Sequence, residues 1–237
     1  MTEGAVGTND NSLRWFARLP SGRHGLPPEF IARFQEQRLA MAVAQVAHEE
    51  GPGALTVARI VAAAGVSRRT IYEHFENKTG CFEFACEEAR RRLFGPVEAA
   101  RDSPDSWLER VSGAIGALLD AVVENPLLAE LCLVHSPAMA GGGRQSSYQA
   151  GIETFTELMR GGREAGRRLR AEDAGFDPPP QAEEFIACAI VSVISLRVER
   201  GEIEDLPGLR GELVRLAASP FLGVEEAARY GQGLEAA

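Results

Sequence analysis

A chain of 237 residues, 45% apolar and 25% charged, has an ordinary globular composition and enough length to bury a core in one or two domains. No apolar run reaches about 18 residues, which excludes a helix across a membrane, and no basic-then-apolar leader opens the chain, so a cytoplasmic protein is expected. The net charge of −9 tells against nucleic acid only as an average: the first 80 residues carry nine basic and eight acidic side chains, the rest 16 and 26. A localised positive face is enough for phosphate contact.

Residues 1–27 lack helical period and read as a flexible arm. Arg14, Trp15, Phe16, Arg18, Arg23 and His24 interleave cations with aromatics there. Such an arm can reach a minor groove, or Trp15 and Phe16 can pack on the domain surface. Pro27-Pro28 opens a long helix, since proline suits a first turn. Phe30 and Phe34, then Leu39, Ala42, Val43 and Val46, mark its apolar side, and Gly51-Pro52-Gly53 ends it.

Thr56 is a good N-cap for a short helix to Ala64, with Val57, Ile60, Val61 and Ala64 on its apolar face. Gly65 sits where a helix ends in a left-handed residue. Val66 can plug the turn, and Ser67 caps a second helix from Arg68, buried through Ile71 and Phe75. The leftover face carries Arg68, Arg69, Thr70, Tyr72, Glu73 and His74: donors, cations and an aromatic hydroxyl near a helix N-terminus, the mixture a recognition helix presents to DNA. Asn77 can cap a further helix. Lys78, the sole lysine among 25 basic residues, lies in that helix's first turn, where a cation opposes the dipole and a phosphate would relieve it. The blander reading of the same spacing is an ordinary helical pair with a solvated basic face.

This segment resembles the TetR-type transcriptional regulators. The shared pattern is Thr56-Val57, Ile60, Ala64-Gly65-Val66-Ser67, Thr70-Ile71-Tyr72, His74-Phe75 and Lys78, in register and without a gap across roughly Leu39 to Phe84. Val61 stands where the family usually has alanine, and Cys81 where it usually has leucine. The resemblance implies phosphate contacts from Thr70, Tyr72, His74 and Lys78 and base reading by Arg68, Arg69 and Glu73; Thr56 and Ser67 complete the candidate DNA-binding set. Residues 28–80 are then a helix-turn-helix domain.

From Thr79 onward the chain reads as helices without strand alternation. One helix carries Cys81, Phe82, Ala85, Cys86, Ala89 and Leu93, with a break expected at Gly95-Pro96. Others are expected over Trp107 to Val123, Pro126 to about His135, Ser146 to Leu169 (weakened by Gly161-Gly162 and Gly166), Ala182 to Arg200, Leu206 to Leu216 and Val224 to Tyr230. Gly141-Gly142-Gly143 and Asp173 to Pro180 connect them. The fold class is all-α with about 9–10 helices. Ala182 to Arg200 is apolar on more than one face, through Phe185, Ile186, Ala189, Ile190, Val193, Ile194 and Leu196, which suits a helix between its own core and a twin subunit. The resemblance implies a homodimer joined through the last two long helices, placing two recognition helices about 34–36 Å apart on a palindromic operator.

Residues 81–237 are therefore read as an effector-binding and dimerisation domain. Trp107, Cys132, His135, Met139, Tyr148, Phe155, Met159 and Phe185 mix large apolar groups with a few polar tips, as a pocket for a small apolar effector does; plain core is the competing reading. Cys132 and His135 are three apart but lack a third ligand nearby, so no metal is expected, and no cofactor motif is present. Cys81, Cys86, Cys132 and Cys188 lie among apolar residues and read as small buried hydrophobes. Nothing orients a Cys–His pair for catalysis, so an enzyme is not expected. The sequence thus points to a repressor released from its operator by a small molecule. An architectural DNA-binding protein without effector, or an enzyme with an incidental helix-turn-helix, are the alternatives.

Overall fold

The structure, a computed structural model, describes residues 27–103, 105–139, 146–169 and 178–235; the expected arm, apart from Pro27, the Gly141–Gly143 loop and most of the Asp173–Pro180 connection lie outside them. Among the described residues there is no strand, in keeping with the all-α expectation. The chain divides into two compact units, Met1–Glu88 and Ala89–Ala237.

In the first unit α1 spans Pro28–Glu50, with proline in its first turn. Its C-terminal half supplies the core: Leu39, Ala42, Val43 and Ala47 are fully buried. Gly51, at φ +80°, ends it, and a single 3-10 turn, Pro52–Ala54, leads to buried Leu55. α2 spans Val57–Ala64 and α3 spans Arg68–His74. The caps are those the residue types foretell: Thr56 accepts from the Arg59 amide at 3.2 Å, and Ser67 from the Thr70 amide at 3.1 Å. Gly65 takes φ 60° and ψ 35°, the left-handed geometry that a Cβ would penalise. Ile60 and Ile71 reach the core of the unit with no exposed surface. Arg38 of α1 donates to the carbonyl of Ala64, one of those left open at the end of α2.

α4 spans Lys78–Arg101 and is assigned partly to each unit. The break expected at Gly95-Pro96 does not occur. Proline in a helix interior costs about 3 kcal/mol or more. Leu93, Phe94 and Val97 around it are all fully buried, and at roughly 1.5–3 kcal/mol for each large apolar side chain their burial outweighs that cost.

In the second unit α5 spans Trp107–Glu124, opened by a reciprocal capping box between Ser106 and Glu109. α6 (Pro126–Glu130) passes through a π-helical turn, Leu131–His135, into α7 (Ser136–Met139). α8 spans Ser147–Met159, α9 Gly162–Leu169 and α10 Ala182–Glu199. A 3-10 turn at Leu206–Leu209 leads to α11, Arg210–Leu222, and α12 spans Val224–Glu235. The helix expected over Ser146–Leu169 is thus two helices. They part where Gly161 and Gly162 pass the Trp107 ring: a Cβ on either would lie 2.7 Å from it. Trp107 in turn meets Phe221 edge-on at 5.4 Å, and Phe94 meets Phe155 likewise at 6.4 Å. α11 runs past the expected end at Leu216, carrying Pro220 within it and fully burying Phe221.

Candidate nucleic-acid interface

α3 has seven residues, too few to stand alone in water. It is held at its start by Ser67, whose hydroxyl also shares a 2.9 Å hydrogen bond with Thr70. Ile71 anchors its middle, and Phe75, just past its end, packs on Phe84 of α4 with ring centroids 5.2 Å apart. That anchoring leaves Arg68, Arg69, Tyr72 and Glu73 exposed together. Tyr72 is 59% exposed, which leaves its ring and hydroxyl open to a partner. Arg69 Nε donates to Glu73 Oε1 at 2.8 Å, one turn along the helix. A pair this exposed contributes only about 0.3–0.5 kcal/mol, so Arg69 can leave it for a base or a phosphate.

The remaining members of the DNA-binding set are occupied within the domain. The Thr56 hydroxyl caps α2, and the exposed Arg59 beside it reaches the Ala54 carbonyl at 3.0 Å and Glu50 at 2.7 Å. Lys78 Nζ donates to the Leu55 carbonyl at 3.0 Å, which brings the start of α4 against the turn before α2. Asn77 caps α4 by accepting from the Gly80 amide at 3.0 Å. The His74 ring turns inward: its side chain is 12% exposed, Nδ1 lies 3.3 Å from Glu36 Oε1, and Nε2 lies 3.2 Å from Gln35 Oε1. Gln35 and Glu36 carry no local signal in sequence, because their partner is nearly 40 positions away in the chain.

In the second unit Trp107, Cys132, Phe155 and Met159 are buried, and the Trp107 indole donates to the Leu158 carbonyl at 3.0 Å. Tyr148 Oη and Ser192 Oγ share a hydrogen bond at 3.1 Å, joining α8 to α10. His135 closes the π turn with Nε2 3.1 Å from Glu130 Oε1. The Leu133 carbonyl in that turn accepts from Ser195 of α10 at 2.9 Å, so a group freed by the wider register finds a partner. Phe185 does not join these residues; it faces outward, 62% exposed. The Met139 side chain lies outside the described residues. No group of three His, Cys, Asp or Glu gathers as a metal site among the described residues. An open cleft of about 470 Å³ lies between the end of α4 and α8, lined by Arg90, Glu98, Arg101, Glu153, Glu157 and Arg160 among others. It contains none of the eight residues picked from sequence, which were sought by apolar character, whereas this cleft is walled by opposed charges.

Residues 41–85 match the family model described as bacterial regulatory proteins of the tetR family. Among curated proteins, the chain is similar to the nucleoid occlusion factor SlmA of Actinobacillus pleuropneumoniae serotype 5b, 23% identical over 111 residues, 47% of this chain and 55% of that one. The corresponding factor of Haemophilus influenzae is 26% identical over 125 residues, 53% of this chain and 56% of that one. The chain therefore spans about half the length of the curated relatives it matches. Among solved structures, its fold is similar to that of the fatty acid degradation regulator FadR from Bacillus halodurans, at a TM-score of 0.61 and 20% identity, covering 78% of this chain and 94% of that one. A TetR-like transcriptional regulator from Rhodococcus sp. RHA1 is similar at a TM-score of 0.57 and 21% identity, covering 84% and 99%. α2, its left-handed glycine, α3 and the start of α4 all lie inside the segment that matches the tetR family model.

Proposed function

We propose that this regulator is a homodimeric repressor that lays α3 in the major groove of each half of a palindromic operator and lets go when a small molecule binds its second unit. The observation that carries the DNA half of this reading is the face of α3: Arg68, Arg69, Tyr72 and Glu73 exposed together on a helix capped and anchored from behind. The support for a dimer is α10. Ile186, Ile190 and Ile194 are buried, yet Phe185, Val193 and Leu196 on its other side remain 37–62% exposed, a stripe that a second copy would cover. The support for an effector is the fold likeness to a fatty acid degradation regulator, which makes an acyl chain the first ligand class to try. Release then requires that the ligand prefer the conformation that cannot span both half-sites. No helix of the described residues is long and apolar enough to cross a membrane, and a cytoplasmic location fits this role.

The test has two stages. Wild-type protein is used to select duplexes from a random pool, and the bound species is sized by sedimentation. A two-fold symmetric site held by two copies supports the reading; no enriched sequence, or a single copy on an asymmetric site, counts against it. Fatty acids and acyl thioesters are then titrated into the complex, release being the supporting result. The likeness to nucleoid occlusion factors favours a second reading, an architectural DNA binder without effector. Binding that no acyl ligand alters, at many sites across a genome, would favour that alternative.

A further inference from the structure

We infer that His74 is a positioning residue, holding α3 at one rotation about its axis through Gln35 and Glu36 of α1, and that it is not a phosphate ligand. This rests on the DNA-binding reading and assigns the residue a different part in it from the one the family resemblance implies. Three observations lead there. The His74 side chain is 12% exposed, too little for a ring that must meet a phosphate. Both its nitrogens face α1, with Glu36 Oε1 at 3.3 Å and Gln35 Oε1 at 3.2 Å, so whichever nitrogen carries the proton has an acceptor waiting. And within α3 only Ile71 is buried, so between the Ser67 cap and Phe75 past its end the His74 contacts are its further attachment to α1.

The geometry of a short helix explains why that point matters. Seven residues span about 10 Å, and positions three apart lie roughly 60° from each other around the axis. The Ser67 cap and Phe75 hold its two ends, while within it a single apolar anchor, Ile71, opposes a roll only weakly. Ile71 with His74 fixes the roll from the side opposite Arg69 and Tyr72. A roll of about 10° moves a group roughly 6 Å from the axis by about 1 Å, enough to take a hydrogen bond to a base edge out of range, since donor–acceptor distances vary only over about 2.7–3.2 Å. A contact to a phosphate by a long cation tolerates the same movement. Loss of the strut should therefore damage discrimination between bases more than affinity for the DNA backbone.

The experiment compares wild type, Gln35→Ala/Glu36→Ala, His74→Ala, the triple variant and His74→Gln. The probe is a 30-base-pair duplex, about three helical turns, selected by the wild-type protein, with single-base variants of it. Two quantities are read: the discrimination ratio and the slope of log affinity against log salt. The inference expects Gln35→Ala/Glu36→Ala, which leaves every residue of the candidate DNA-binding set in place, to lower discrimination several-fold with the salt slope unchanged. Adding His74→Ala to that background should cost less than about twofold more, because residues acting as one unit are not additive. His74→Gln, whose amide can still reach α1, should restore part of the discrimination lost in His74→Ala. A salt slope that falls by about 1 in His74→Ala is the signature of a lost phosphate contact and would overturn the inference. Full additivity, or unchanged discrimination in Gln35→Ala/Glu36→Ala, would overturn it as well; if His74→Ala does not fold, the α1 variant and His74→Gln still decide. A wild-type protein that selects no duplex removes the DNA-binding reading itself, a different failure from any of these.

Discussion

Arg163 of α9 grips Glu183 of α10 by two parallel hydrogen bonds, Nε to Oε1 and Nη2 to Oε2, the latter at 2.9 Å. The same guanidinium donates to the carbonyls of Pro178 at 2.9 Å and Pro179 at 2.6 Å, so one side chain joins α9, the proline turn and the start of α10. Glu183 is 8% exposed. Burial pushes its carboxyl up, but the Arg163 hydrogen bond and charge, with a backbone amide of the helix start, outweigh burial and hold it below the ordinary carboxylate range.

A pH dependence follows. A carboxyl depressed in the folded state contributes stability that is fully present above its unfolded value and is lost as pH falls through its folded value. Urea unfolding of wild type and Glu183→Gln from neutral pH to about pH 3 should show the two curves converging at the acid end. Parallel curves would show that Glu183 does not contribute. Arg163→Ala, which leaves the carboxylate buried without its partner, should cost about 3 kcal/mol at neutral pH.

Gly162→Ala should destabilise the protein by about 1–3 kcal/mol, since the new methyl enters a packed site, with the Phe221 and Trp107 rings 2.7 Å away. Gly113→Ala, at an exposed position of α5 with open space around it, should stabilise it by roughly 0.5–1 kcal/mol. Thermal melts of the pair test whether the break between α8 and α9 is set by the Trp107 ring. Equal effects would show that it is not.

On α3, Arg69→Ala should change which operator variants bind best while leaving stability within about 0.5 kcal/mol of wild type, the worth of an exposed ion pair. Tyr72→Ala should weaken all variants alike. Binding to a panel of single-base operator variants separates the two, and an unchanged ranking in Arg69→Ala would remove its base-reading role.

The apolar stripe of α10 predicts that Phe185→Glu or Val193→Glu yields a folded monomer with weakened operator binding, seen by sedimentation and circular dichroism. A dimer that persists in both variants would place the subunit contact elsewhere.

Thiol chemistry should divide the four cysteines. Burial pushes the Cys81 thiol up to about 12, and Cys86 and Cys132 are also buried, whereas Cys188 on α10 is half-buried. A thiol reagent at about pH 8 should label Cys188 first and the others only on unfolding. Rapid native labelling of Cys81 would contradict its burial.

Features decided within a few residues were legible in the sequence: the Thr56 and Ser67 caps, the left-handed Gly65, the buried Ile71 and the exposed Tyr72. Features decided by distant packing were not. Pro96 reads as a breaker until Leu93, Phe94 and Val97 are seen buried around it. Gly161 and Gly162 read as a weakness in one helix until the Trp107 ring explains a clean division. Phe185 shares the apolar character of the buried residues, and only the rotation of α10 tells that it points out. The inward turn of His74 depends on two polar residues of α1 that no pattern in α3 announces.

Lys78 is the one lysine of the chain, exposed at the start of α4 with its ammonium resting on the Leu55 carbonyl. Among the side chains, amine-directed chemistry thus has a single address, beside the recognition helix. A dye or photocrosslinker attached through an amine reports from one known place. Aldehyde crosslinking to DNA through a lysine must pass through that same nitrogen, so a Lys78→Arg chain would keep the charge and lose the crosslink.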